Sequence, residues 1–455
     1  MRTRTVSRRD NAVAVDGRAL ARVLCELGRV DQLSDLGTRG PLLASAGAHS
    51  LFHCLFGRDA IRMAMDLLDD FEAVSHATLI DLARLQGVTE NPRAEEEPGR
   101  ILHEFRAPDD LHAVRLVEGG WDFPYYGAVD TTPQWVNLLG AHCARYGDSV
   151  LDEQFTNRGW RSITLRDSLL AAIGWIARRI DDPIGGGYLW VRRAGPHSIA
   201  NQVWEDSFDS HYHADGSLFG VTQPYAPVAV QGYAYDALLI GADLLARSPG
   251  PLHFDPEWLR SRACQLRERV LAQFWQPDLG TFAQALVLGP HESARPARVV
   301  ASSPGHLLAS SLLDGPDAAP FREQLIARFA ESDLLGGAGI RTKSTTAVRF
   351  RAGSYHNGSI WPMDTGVIAD GLRRHGAYRA ADDLDQRTLA GCYVAGGFPE
   401  FLRGDIDGSV RVNTEIVEVV QDGVHNRLEQ PPQANQGWTA TRVWRILRRA
   451  ASLPA

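Results

Sequence analysis

Two carboxylate-bearing segments lie far apart in the chain, Asn201-Gln202-Val203-Trp204-Glu205-Asp206-Ser207 and Gly396-Gly397-Phe398-Pro399-Glu400-Phe401. Each sets acids among aromatic and turn-forming residues. Glycosidic bonds are cleaved between two such groups, one carboxyl held protonated to release the leaving oxygen and one ionised to activate water or attack carbon. Trp204, Phe398 and Phe401 supply apolar surroundings that raise a carboxyl pKa and flat faces on which a sugar ring stacks. Glu205, Asp206 and Asp209 crowd together, so burial would force a raised pKa or a cationic partner on at least one of them. Composition and spacing do not choose among the three. His211 and His213, which alternate with polar residues near Asp209, read as hydrogen-bonding partners and not as metal ligands.

Further polar groups cluster in short motifs. Arg58 and Asp59 open an apolar helix, where Asp59 suits the first turn and the pair could clamp neighbouring sugar hydroxyls, one donating and one accepting. Tyr355-His356-Asn357-Gly358-Ser359-Ile360-Trp361-Pro362-Met363-Asp364 enters another helix with Pro362 near its first position; His356, Asn357 and Trp361 are of types that bind or stack on sugars. Asp130, before Thr131-Thr132-Pro133, reads as a helix cap. There is no Walker-type loop, no GxGxxG between a strand and a helix and no GxSxG elbow, so neither a nucleotide nor any other cofactor is expected.

The elements that must carry these groups are helices. Apolar periodicity predicts them over about 12–29, 58–72, 74–87, 131–146, 165–181, 226–247, 256–275, 304–314, 317–332, 361–375, 378–394 and 437–450. Long segments rich in Gly, Pro and aromatic residues separate alternate helices, at 89–130, 182–225, 278–303, 336–360 and 396–436, and loops of that length are usually functional. The expected fold is all-α, a toroid of helical hairpins with its long loops gathered on one face. Minor short strands are expected at Ile101 to Arg106 and Ala347 to Arg351. No linker divides the 455 residues, so one catalytic domain is expected, its core spanning about 50–450 behind an N-terminal helical extension over 1–50.

Bulk properties narrow the partners. A hydrophobic content of 44% with 22% charged residues is globular, and no apolar run approaches the roughly 18 residues of a membrane span. A formal net charge of -8 argues against nucleic acid. Arg442, Arg445, Arg448 and Arg449 read as the solvated face of a last helix. The basic start of the chain lacks the apolar region of a secretion signal, and the five scattered cysteines read as reduced core thiols; both point to the cytoplasm.

Taken in order, several motifs resemble the bacterial glycogen-debranching-like amylo-alpha-1,6-glucosidase group, and more distantly the glucoamylase and processing-glucosidase enzymes that share an (α/α)6 barrel. They include Phe56-Gly57-Arg58-Asp59, Tyr125-Tyr126-Gly127-Ala128-Val129-Asp130-Thr131-Thr132-Pro133, Asn201 to Ser207, Val230-Gln231-Gly232-Tyr233, Ser303-Pro304-Gly305-His306, Tyr355 to Pro362 and Gly397 to Phe401. The resemblance implies that Asp206 is the general acid and Glu400 the general base of an inverting, exo-acting α-glucosidase. It places Arg58, Asp59, Trp204, Glu205, Gln231, His356, Asn357, Trp361 and Trp438 at the substrate. About fifty residues precede Arg58-Asp59 where many relatives carry a β-rich domain, and the stretch 413–436 departs from the pattern that follows the base in relatives. An oligosaccharide or small α-glucoside is therefore expected at least as much as a polymer. A phosphorolytic or transferring enzyme on the same barrel, or a sugar-binding protein without catalysis, is the alternative.

Overall fold

The computed structural model describes residues 18–20, 22–23, 41–47 and 52–451, except 183–185, 196, 221, 248–253, 290–292, 415–416, 422–423 and 429–431. Most of the expected helix over 12–29 lies outside the described residues.

Twelve α-helices of at least four residues organise the described chain after residue 52: α1 (Gly57–Leu67), α2 (Glu72–Arg84), α3 (Leu111–Glu118), α4 (Thr131–Tyr146), α5 (Leu165–Ile180) and α6 (Val228–Ala246), then α7 (Pro256–Gln273), α8 (His306–Ala309), α9 (Ala319–Arg328), α10 (Pro362–Arg374), α11 (Tyr378–Ala395) and α12 (Gly437–Ala451). Local chemistry sets many of their ends. Thr164 and Asp167 form a capping box at α5, Asp255 caps α7 ahead of Pro256, and α11 stops at Gly396 in a left-handed conformation with φ of 64°.

Two kinds of helix alternate. In α6, thirteen residues around the helix are buried, whereas α7 buries only Pro256, Leu259, Ala263, Leu266 and Val270, a single stripe at helical spacing. The more buried helices contact one another in succession: α1 meets α4, α4 meets α6, α6 meets α8, α8 meets α10, α10 meets α12, and α12 returns to α1. Helices α2, α5, α7 and α11 pack against this inner set, and the N-terminal ends of the inner helices carry the candidate site.

The expected segment 304–314 is broken into short turns around α8, because Ser310 turns its hydroxyl back to accept from Leu312 N. Helix α3 was not expected; Asp110 caps it by accepting from His112 N and Ala113 N, yet it buries only Ala113. Within Ile101 to Arg106 only Glu104–Phe105 is a strand, paired antiparallel with Leu55–Phe56. Ala347 to Arg351 is not a strand: Ala347 N bonds to Ser344 O and Phe350 N to Ala347 O, which curls the segment into turns. Among the described residues sheets are small, the largest having three strands in the order 225–227, 285–288, 294–297, and 417–421 pairs antiparallel with 424–428 inside the atypical stretch.

Two surface readings change. Arg442 is fully buried, its guanidinium 2.7 Å from Asp66 and 2.8 Å from Asp370, and Arg445 and Arg449 join the same carboxylates. The last helix thus fastens to α1 and α10 by charge through Arg442, Arg445 and Arg449, while Arg448 stays on the exposed face as expected, paired with Asp70. Cys54, Cys143 and Cys392 are buried, Cys264 is exposed, and Cys25 lies outside the described residues. Among the described residues no helix is long and apolar enough to cross a membrane.

Candidate active site

The first turn of α1 brings in Arg58 and Asp59. Asp130, the residue before α4, makes no capping bond; its carboxylate instead takes two hydrogen bonds from Arg58, Nε to Oδ2 at 2.8 Å and a terminal nitrogen to Oδ1 at 3.1 Å. The remaining guanidinium nitrogen comes within 3.7 Å of Asp206 Oδ2. The Asp-Thr-Thr-Pro sequence looks the same whether Asp130 caps or clamps, so its role was hidden from local reading.

The three crowded acids are separated by their partners. Glu205 is buried and accepts from Lys343 Nζ at 2.6 Å, Asp209 accepts from the Ser207 hydroxyl at 3.4 Å, and Asp206 sits half-buried opposite Arg58. Burial pushes the Asp206 carboxyl up to about 7; Arg58 opposes this, while Asp130 and Glu400 add to it. Glu400, on the loop after α11, is buried and also pushed up to about 7 by desolvation, against the pull of two donors: Tyr355 hydroxyl to Oε1 at 2.5 Å and Gln433 N to Oε2 at 3.0 Å. Asp59 rises to about 8, mainly through burial, with Arg58 lowering it and the charges of Glu400 and Asp206 raising it. Gln436 Nε2 donates to its Oδ1 at 3.0 Å.

An aromatic floor runs between these carboxyls. His356 stacks on Trp361 at 4.8 Å, Trp361 on Phe401 at 5.0 Å, and Trp204 and Trp438 meet Trp361 edge-on at 5.9 and 5.7 Å. Burial holds His356 well below its usual pKa, hence neutral. Its Nδ1 accepts from Ser207 N at 3.3 Å, which puts the ring proton on Nε2. That Nε2 is buried without a partner, as are Trp204 Nε1, Trp438 Nε1, Asn357 Oδ1, Gln436 Oε1 and Asp364 Oδ2. Loop packing keeps this floor close to the base: a Cβ on Gly404 would lie 1.8 Å from Gly358 O, so only glycine lets the two loops meet.

The structure thus gathers Arg58, Asp59, Trp204, Asp206, His356, Asn357, Trp361, Glu400 and Trp438 around one site. Two expected substrate residues are placed otherwise. The Glu205 carboxylate is taken by Lys343, and Gln231 spends its amide on Leu189 N, Leu189 O and Pro227 O, bracing the loop before α6. Tyr355, Gln433 and Gln436 were not singled out from sequence. Tyr355 lay inside a motif of sugar-binding types, but the two glutamines reach the carboxyls only through folding of the atypical stretch. Among the described residues no three His, Cys, Asp or Glu side chains converge to hold a metal ion.

Residues 201–407 match the mannosylglycerate hydrolase MGH1-like glycoside hydrolase domain. That span carries Asp206 and Glu400. The fold is shared with the GH63 mannosylglycerate hydrolase of Thermus thermophilus in complex with Tris and D-glycerate, at a TM-score of 0.61 and 14% identity, covering 95% of this chain and 99% of that one. The same hydrolase in complex with glucose gives a TM-score of 0.57 at 14% identity, covering 93% and 100%. A glycosidase variant in complex with glucose gives 0.51 at 16% identity, covering 97% and 100%. No curated protein matches the chain in sequence.

Proposed function

We propose that this chain is an exo-acting, inverting glycoside hydrolase that removes one hexose from a small α-glycoside, on an (α/α)6 toroid, with Asp206 as general acid and Glu400 as general base. The observation that carries the reading is the pair of carboxyls, both pushed up to about 7, beside an aromatic floor of His356, Trp361 and Phe401. The unbroken succession of inner-helix contacts supports the toroid.

Hydrogen bonding separates the roles. Both oxygens of Glu400 accept from fixed donors, which favours its ionised form, whereas the nearest cation to Asp206 stands at 3.7 Å and two carboxylates disfavour its charge. The single proton shared by such a pair therefore resides on Asp206. Asp206 gives it to the glycosidic oxygen as the bond from C1 breaks; Glu400 takes a proton from the water that attacks C1 from the other face. Arg58 and Asp59, with the neutral His356, grip the hydroxyls of the departing sugar, and Trp204 and Trp361 enclose its ring.

The sugar is glucose in the reading from sequence. The mannosylglycerate hydrolase domain match and neighbours bound to glucose and D-glycerate support a small glycoside, with a glucosyl or mannosyl group on a compact aglycone, over a polymer. Phosphorolysis would need a cationic site where Glu400 stands. Incubation with α-glucosides, α-mannosides and their glycerate conjugates is expected to release free hexose from a small member of the panel; a folded protein that releases none from any of them contradicts the proposal.

A further inference from the structure

We propose that Lys343 is a positioning residue for Asp206, acting through the buried Glu205; the inference rests on the reading of Asp206 as general acid. Lys343 and Glu205 are both fully buried, and Lys343 Nζ donates to Glu205 Oε1 at 2.6 Å. A buried ion pair is weak evidence for stability, because an apolar pair of similar volume often serves the fold as well. What the pair does fix is geometry, and Glu205 is the chain neighbour of Asp206.

A general acid poses a conflict. Hydrogen bonds to its own carboxylate would hold it still but would also favour the ionised form, which has no proton to give. Asp206 largely avoids this: among the described residues no other side chain bonds to its carboxylate, which meets its own backbone N–H and the 3.7 Å approach of Arg58. The fastening is applied to the backbone and side chains around it instead. Glu205 O accepts from Ser210 Oγ at 2.5 Å, Ser210 Oγ accepts from Asn201 Nδ2 at 3.1 Å, and Asn201 Nδ2 also donates to Ser207 O at 2.7 Å. His211 Nε2 stands 3.8 Å from Glu205 Oε2 on the remaining side.

Lys343 ties this turn to the rest of the site. Its neighbour Thr342 bonds through N to Ser359 O at 2.9 Å and accepts from Gly358 N at 2.9 Å, within the loop that carries His356. Arg341, two residues before Lys343, donates to Gly404 O and Asp405 O, each at 2.7 Å, in the loop that follows Glu400. The stretch 341–343 therefore touches the sugar-gripping loop, the base loop and the acid turn, and the Lys343 ammonium is its link to the last of these. In the step served, the Asp206 proton passes to the glycosidic oxygen, the C1–O electron pair leaves with that oxygen, and water delivers hydroxyl to C1 and its proton to Glu400.

The test is the double variant Glu205→Leu/Lys343→Met, which removes both charges together so that neither stays buried alone. Its turnover is compared on two glycosides of the same sugar, one with an alkyl and one with an activated aryl leaving group. The expected result is a loss of ~10²-fold on the alkyl glycoside and under ~5-fold on the aryl one, since only the first needs the acid. Equal losses on both, or no loss on either, overturn the role of Lys343. Asp206→Asn in the same assay separates the two claims: leaving-group dependence there without it in the double variant removes Lys343 alone, and its absence in Asp206→Asn removes the acid assignment itself. If the double variant does not fold, Glu205→Gln, which replaces the ion pair by a weaker neutral bond and so loosens the tie, decides by the same comparison.

Discussion

The hydroxyl of Tyr355 donates to Oε1 of Glu400 at 2.5 Å, at a buried position otherwise hostile to a charged carboxylate. This bond stabilises the ionised base. Tyr355→Phe is expected to lower kcat ~10-fold with the fold intact. Removing the donor raises the Glu400 pKa, so the acidic limb of the pH–rate profile should move to higher pH. A profile that stays in place with unchanged kcat would remove Tyr355 from the mechanism.

Burial pushes both Asp206 and Glu400 up to about 7, and the proposed mechanism needs the first protonated and the second ionised. Activity should therefore follow a narrow bell centred near neutral pH, reporting macroscopic values of the pair. Asp206→Asn should lose ~10³-fold on glycosides with poor leaving groups and far less on activated ones, whereas Glu400→Gln should lose similarly on both. The opposite pattern would exchange the two roles.

Asp59 illustrates stability given up for function. Folded, it keeps its proton up to about 8; unfolded, it releases it near the ordinary carboxyl value of about 4. Between these values the folded state binds more protons, so the Asp59 contribution to stability is full below about pH 4 and is lost as pH rises toward 8. Asp59→Asn should raise Tm by ~2–4 °C at pH 8 and leave it unchanged at pH 4, while activity falls ~10²-fold. Equal Tm values at pH 8 would show that the penalty is absent.

What could be read from the sequence was what is local. Helix α4 spans the expected 131–146, and α6, at 228–246, lies within two residues of the expected 226–247. Helix α3 escaped because eight residues are too few for a periodic pattern to stand out, although Leu111, Val114 and Val117 recur at helical spacing; all three stay exposed. Within the site, Trp204, Asp206 and Glu400 were legible as chemistry set among aromatics. The fate of Glu205 was not, since Lys343 lies 138 positions away and only the fold brings it in. Gln433 and Gln436 were illegible for the same reason: each reads as a polar residue in an irregular stretch until its partner, Glu400 or Asp59, is placed beside it.

The central claim, water activated by Glu400 opposite an acid at Asp206, is tested most directly by the anomer first formed when an α-glycoside substrate is hydrolysed, followed by proton NMR before mutarotation. Attack from the face opposite the leaving group predicts the β-hexose as the initial product. Initial release of the α-hexose would contradict the account, because it would require a covalent intermediate on one of the two carboxylates.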